Sequence, residues 1–77
     1  RYKKGDFEGA VKILIEALDR VGDDPVIWEH LGRTYEELGR NGEALEAYEK
    51  SLSIEPGRED LLERARALGG AADKPEN

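Results

Sequence analysis

Apolar residues recur at intervals of three and four along most of the chain, the period of helices that bury one stripe. Residues 6–21 (DFEGAVKILIEALDRV) predict a first helix, with Asp6 as N-cap and Gly22 ending the pattern. Asp24 and Pro25 predict the start of a second. Aspartate can accept from the first free amides, and proline at the first position has no N–H to satisfy. That helix runs to about Leu38, with Gly39 as its stop. Asn41 can cap a third helix over about residues 42–53, and Pro56-Gly57 then break the chain. A fourth helix covers about residues 58–68, stopped by Gly69 and Gly70, with residues 69–77 a flexible tail. No alternation is long enough to predict a strand, so the expected class is all-α.

The second helix separates its faces clearly. Trp28, Leu31, Gly32, Tyr35 and Leu38 share one stripe, while Glu29, Arg33, Glu36 and Arg40 lie opposite. Gly32 is costly there, since glycine inside a helix loses roughly 1 kcal/mol relative to alanine. Its position on the buried stripe predicts a packing notch that lets the third helix approach around Ala44 and Tyr48. Gly32→Ala should then be tolerated or mildly harmful, and Gly32→Leu should overpack. The first helix differs. Phe7, Ala10, Val11, Ile13, Leu14, Ile15, Ala17, Leu18 and Val21 wrap most of its circumference, so it expects neighbours on nearly all sides. The fourth keeps its apolar residues to Leu61, Leu62, Ala65 and Leu68, with Arg58, Glu59, Glu63 and Arg66 on the other face, as a solubilising end should.

Charge and composition narrow the function. A net charge of −6 repels nucleic-acid phosphates and disfavours anionic membranes. No apolar run could span a bilayer. Cysteine is absent, which leaves the redox compartment open and removes thiolate metal sites. The chain opens on Arg1 without methionine, as a piece of a longer protein would. His30 is the only histidine; with no nucleophile at a recognisable spacing it suits a surface role better than a base or a metal ligand. Trp28, Tyr35 and Tyr48 at helical spacing read as core before they read as an aromatic box. Adjacent Glu36 and Glu37 point about 100° apart on a helix and form no carboxylate pair. No catalytic residue, cofactor or metal site is expected.

Self-comparison supplies the organising feature. Gly5 and Gly39, Ala10 and Ala44, and Leu18 and Leu52 each stand 34 residues apart. Leu14 meets Tyr48 and Ala17 meets Ser51 at the same offset, and Ile27, Trp28, Glu29 and Leu31 map forward onto Leu61, Leu62, Glu63 and Ala65. Trp28, Leu31, Gly32, Tyr35, Ala44, Tyr48, Ser51 and Pro56 fill the pattern of the tetratricopeptide repeat (TPR) family in order, which this chain resembles over roughly residues 1–68. Only Ser51 departs, alanine being usual there. The resemblance implies a partial first repeat over 1–22 (mainly its second helix), a complete repeat over 23–56, a C-terminal capping helix over 57–68 and the tail. The first repeat has Leu14 at the aromatic place and Gly22 at the proline place, and the last helix has Arg66 at the glycine place.

The family's fold would be antiparallel helix pairs stacked as an α-solenoid, a right-handed superhelix whose concave groove binds peptides or protein segments. By this resemblance Val26, Glu29, Arg33, Glu36, Glu37, Asp60, Glu63 and Ala67 would line the groove. That mainly acidic surface would suit a partner with lysine or arginine. A clamp for chaperone tails is not implied: His30 stands where asparagine and Asp60 where lysine would be needed, and only Arg64 matches. The leading reading is a non-catalytic interaction module, part of a scaffold or adaptor. The alternative is a structural end-piece, or a self-association segment that pairs through Ile13, Leu14 and Ile15 or packs on upstream repeats.

Overall fold

The computed structural model describes residues 4–72, with side chains placed from Asp6 to Gly69. Four helices follow one another: α1 (Lys4–Val21), α2 (Pro25–Glu37), α3 (Asn41–Ile54) and α4 (Glu59–Ala72). Local chemistry sets most of their ends. Gly22, at φ 90°, turns the chain after α1. The Asp24 carboxylate accepts from the amides of Val26 (2.8 Å) and Ile27 (3.4 Å), with Pro25 at the first helical position. α2 closes on Gly39, at φ 78°, through Gly39 N–H to Glu36 O and Arg40 N–H to Tyr35 O, both 2.9 Å. That bond pair is a Schellman motif, which needs the left-handed residue glycine supplies.

Three predicted ends differ. Asp6 lies in the first turn of α1 and is not its cap, because the helix already runs from Lys4. Gly5 is therefore helical, unlike its repeat counterpart Gly39. Asn41 is the first residue of α3, preceded by Arg40, whose side chain makes no cap. Arg40 instead donates from Nε and Nη2 to the two Glu43 oxygens (2.6 and 2.9 Å), and its guanidinium lies 5.1 Å over the Tyr35 ring. Nor do Gly69 and Gly70 stop α4, which continues to Ala72. Neither sits at positive φ, so neither makes the turn that a glycine stop requires. Residues 73–77 of the expected tail, and residues 1–3, lie outside the described residues.

Cross-helix contacts give the arrangement. Pro25 O accepts from Ser51 Oγ, and Gly32 abuts Tyr48, so α2 and α3 run antiparallel. Glu29 meets Arg58 and Glu36 meets Arg64, so α4 lies beside α2 and runs parallel to it. Val11, Leu31, Tyr35, Ala44, Ala47, Tyr48, Leu61, Ala65 and Leu68 form the buried core, with Leu14, Leu18, Trp28, Leu38, Leu45 and Leu52 packed around it. Of the residues read as repeat core, Pro56 is exposed and serves only the turn after α3. Ser51 is fully buried, and its hydroxyl finds the Pro25 carbonyl at 2.8 Å, so the serine is satisfied where an alanine would also fit. Leu62 is 42% exposed, against the expectation that it belongs to the buried stripe. Its counterpart Trp28 is covered by α3, and no further helix among the described residues covers Leu62.

The notch at Gly32 is tighter than the sequence suggested. A Cβ there would lie 2.7 Å from Tyr48 Cε1 and 2.8 Å from Cδ1. The ring cannot easily yield, since Tyr48 is 0% exposed and its hydroxyl is bonded to Glu36. Alanine is thus no mild change at this position, and that expectation is corrected. Gly9, by contrast, is helical and has nothing within 4 Å of where its Cβ would stand. The same substitution should have opposite signs at the two sites. Gly9→Ala should stabilise by about 0.5–1 kcal/mol through helix propensity. Gly32→Ala should destabilise by about 1–2 kcal/mol net, overpacking exceeding that gain. Urea midpoints of the two variants check both signs.

Candidate functional site

The register between α2 and α4 brings charged side chains from both into one shallow groove. Glu36, near the end of α2, is central. Its Oε1 accepts from the Tyr48 hydroxyl and from Arg64 Nε, both at 2.8 Å. One carboxylate thus ties α2 to α3 and to α4. Two turns earlier, Glu29 meets Arg33 Nη2 at 3.2 Å and Arg58 Nη1 at 3.1 Å. Arg58 also donates to Asp60 through Nε and Nη2, each at 3.2 Å. That bond holds the Asp60 carboxyl below its ordinary range and raises the Arg58 guanidinium further still, with Glu29 adding to the latter. Surface pairs of this kind contribute little stability individually, about 0–1 kcal/mol. Their larger effect is to fix where the side chains stand.

Glu36, Asp60, Glu63, Arg64, Ala67 and Leu68 line a cavity of about 450 Å³ between α2 and α4. Four of the predicted groove residues therefore converge. Arg33 and Glu37 instead line a second hollow of about 380 Å³ with Asp6, Phe7, Ala10 and Thr34, between α1 and α2. Val26 and Glu29 line neither; Val26 is exposed and Glu29 is half-buried under its arginines. The expectation of a mainly acidic groove is modified. Glu29 and Glu36 are balanced from within by Arg33, Arg58 and Arg64. Glu37 and Glu63 have no ion pair among the described residues, so five carboxylates still face three guanidinium groups. Arg58 and Arg64 as counter-ions were missed because they stand 29 and 28 residues from their partners, a pairing visible only once α3 has folded back.

The predicted self-association residues do not share a face. Leu14 packs against the core. Ile13 (65% exposed) and Ile15 (47% exposed) stand two residues apart, about 160° around the helix from one another. His30 is exposed, and its backbone carbonyl accepts from Thr34 Oγ1 at 2.8 Å. Trp28 is partly buried, its Nε1 donating to Asp23 at 3.3 Å and Lys50 lying 5.7 Å over its ring. No group of three or more His, Cys, Asp and Glu among the described residues could hold a metal ion, and no helix is long and apolar enough to cross a membrane.

Burial first, and then the bond to Glu36, pushes the Tyr48 hydroxyl well above the ordinary tyrosine value of 10.0. The unfolded chain releases this proton near pH 10 while the folded chain keeps it. The contribution is complete below pH 10 and is lost as pH rises beyond it, by up to about 1.4 kcal/mol per pH unit. Stability measured by urea at pH 8, 10 and 11 should fall mainly over the last interval, and Tyr48→Phe should lessen that fall, leaving the part due to Tyr35, whose hydroxyl is also pushed up by burial.

The sequence that forms the α2–α3 pair with its glycine notch is similar to known proteins. Residues 26–58 match the family model of the tetratricopeptide repeat. A TPR repeat-containing protein of Methanocaldococcus jannaschii is 45% identical over 51 residues, covering 66% of this chain and 16% of that one. No solved structure matches the chain. Both matches support assigning residues 26–58 to the tetratricopeptide repeat, a repeat that generally mediates protein–protein interaction and is typically non-catalytic. The chain spans about 16% of the length of the relative it matches.

Proposed function

We propose that the chain is a non-catalytic protein-interaction module whose α2–α4 groove binds a segment of a partner protein carrying lysine or arginine. The observation that carries this reading is the convergence of Glu36, Asp60, Glu63, Arg64 and Ala67 on one open cavity, in a family that generally binds proteins. The internal arginines hold Glu36 and Asp60 in place, and Glu63 is left to face an incoming cation. α4 would serve both as one wall of the groove and as the cap of a helical stack. A peptide array on the intact chain should favour sequences rich in lysine and arginine, and Glu63→Lys should weaken that preference without changing the melting temperature. Preference for acidic sequences would refute the reading.

A second reading is favoured by one feature of α1. Ala10, Ile13 and Ala17 stand 34 residues before Ala44, Ala47 and Ser51, all of which are fully or almost fully buried in the complete unit. Ile13 is nevertheless 65% exposed. That face is shaped to seat a helix equivalent to α2, from a neighbouring repeat or a second copy of the chain, which is how a structural end-piece would act. In sedimentation, Ile13→Asp should abolish any self-association and leave peptide binding intact.

A further inference from the structure

A third hollow lies between α1 and α3, and none of its lining residues belongs to the α2–α4 groove. Its volume is about 470 Å³. Leu18, Trp28, Leu31 and Tyr35 contribute to its apolar lining, with Ile15 from α1 beside them. Ile15 remains 47% exposed although α1 and α3 are both in place. A helix seated on Ala10, Ile13 and Ala17 would approach α1 from about 160° away and could not cover it. Repeat packing therefore leaves Ile15 unaccounted for.

The rim is acidic. Asp19, Glu43 and Glu46 stand around the opening. Arg40 balances Glu43, whereas Asp19 and Glu46 have no ion pair among the described residues. Two cations stand at this edge, Arg40 over the Tyr35 ring and Lys50 over the Trp28 ring, and Asp23 accepts from the same indole. An apolar floor whose rim keeps Asp19 and Glu46 without an ion pair among the described residues selects against acidic segments, because like charges brought together at a dry contact are costly. It favours an apolar anchor flanked by cations, and the Trp28 face already accepts a cation in this way.

We propose that the hollow between α1 and α3 is a second protein-docking site, which takes a bulky aliphatic side chain flanked by lysine or arginine from a partner segment. Trp28, the chain's single tryptophan, reports directly on it. The intact chain is titrated with a short peptide bearing one leucine between paired lysines, with Trp28 emission as readout. Two control peptides carry serine for the leucine or glutamates for the lysines. The expected result is a saturable change for the first peptide alone. It should be weakened at least about tenfold by Ile15→Glu, and also by Glu46→Lys, while Glu63→Lys in the other groove leaves it unchanged. Ile15 and Glu46 are exposed, so circular dichroism should show both variants folded. An equal response to the serine peptide, no response to any peptide, or indifference to Ile15→Glu would overturn the proposal. So would an emission change that depends on protein concentration without peptide, which would assign the hollow to a second copy of the chain.

Discussion

Tyr48→Ala is expected to destabilise the fold by about 3–5 kcal/mol, the range for removing a buried aromatic ring. A chain of this length has roughly 4–12 kcal/mol to lose, so the variant should be near the limit of folding at 25 °C. Three losses add together. The ring fills the space against Gly32, where no Cβ could stand, so truncation opens a cavity at the closest approach of α2 and α3. The side chain is fully buried, so all its apolar area is lost from the core. The hydroxyl also holds Glu36, which in turn holds Arg64 on α4. Tyr48→Phe separates these effects. It keeps the ring and should cost about 1 kcal/mol, because Glu36 retains Arg64 and partial access to water. Urea denaturation of the two variants gives the comparison. In the Tyr48→Ala background, Gly32→Ala should no longer be harmful, since the atoms it would strike are gone.

Leu61→Ala is expected to cost about 2–5 kcal/mol. Leu61 is almost fully buried, and with Ala65 and Leu68 it forms the apolar seat of α4. The polar ties to α2 from Arg58, just before α4, and from Arg64 on it are partly exposed ion pairs and cannot replace that seat. The loss should therefore fall unevenly. Hydrogen exchange should show amides of α4 losing protection first, while α2 and α3, joined by the Tyr48–Gly32 contact, open later. Uniform loss of protection across all four helices would show instead that α4 belongs to the same cooperative unit. Either way, peptide binding in the α2–α4 groove should weaken along with α4, since Asp60, Glu63, Arg64 and Ala67 stand on it.

What could be read from the residues was whatever depends on near neighbours. Asp24 with Pro25 and Gly39 mark α2 because caps and left-handed turns are built from adjacent residues. The stripe from Trp28 to Leu38 and the 34-residue offset located the core and the notch. The glycines at 69 and 70 misled for the opposite reason. A glycine ends a helix only when the chain turns at it, and helical context holds these two in line. Gly69 stands in ordinary contact with Leu45, 3.8 Å from where its Cβ would be. The groove was legible as a set of positions and not as a charge pattern. The sequence offers Glu29 and Glu36 the i,i+4 partners Arg33 and Arg40; in the fold Glu29 keeps Arg33 and gains Arg58, while Glu36 takes Arg64 and Arg40 turns to Glu43. The hollow beside Ile15 had no local signature, because its walls come from three helices.

The central claim is that the α2–α4 groove receives a cationic protein segment. It is tested most directly by nuclear magnetic resonance, following backbone amide shifts of the labelled chain as a lysine- and arginine-rich peptide pool is added. The prediction is that shifts concentrate at Glu36, Asp60, Glu63, Arg64 and Ala67, shrink with rising salt as screened ion pairing requires, and vanish in Glu63→Lys. Shifts scattered over all four helices, or a response that survives both high salt and Glu63→Lys, would contradict it.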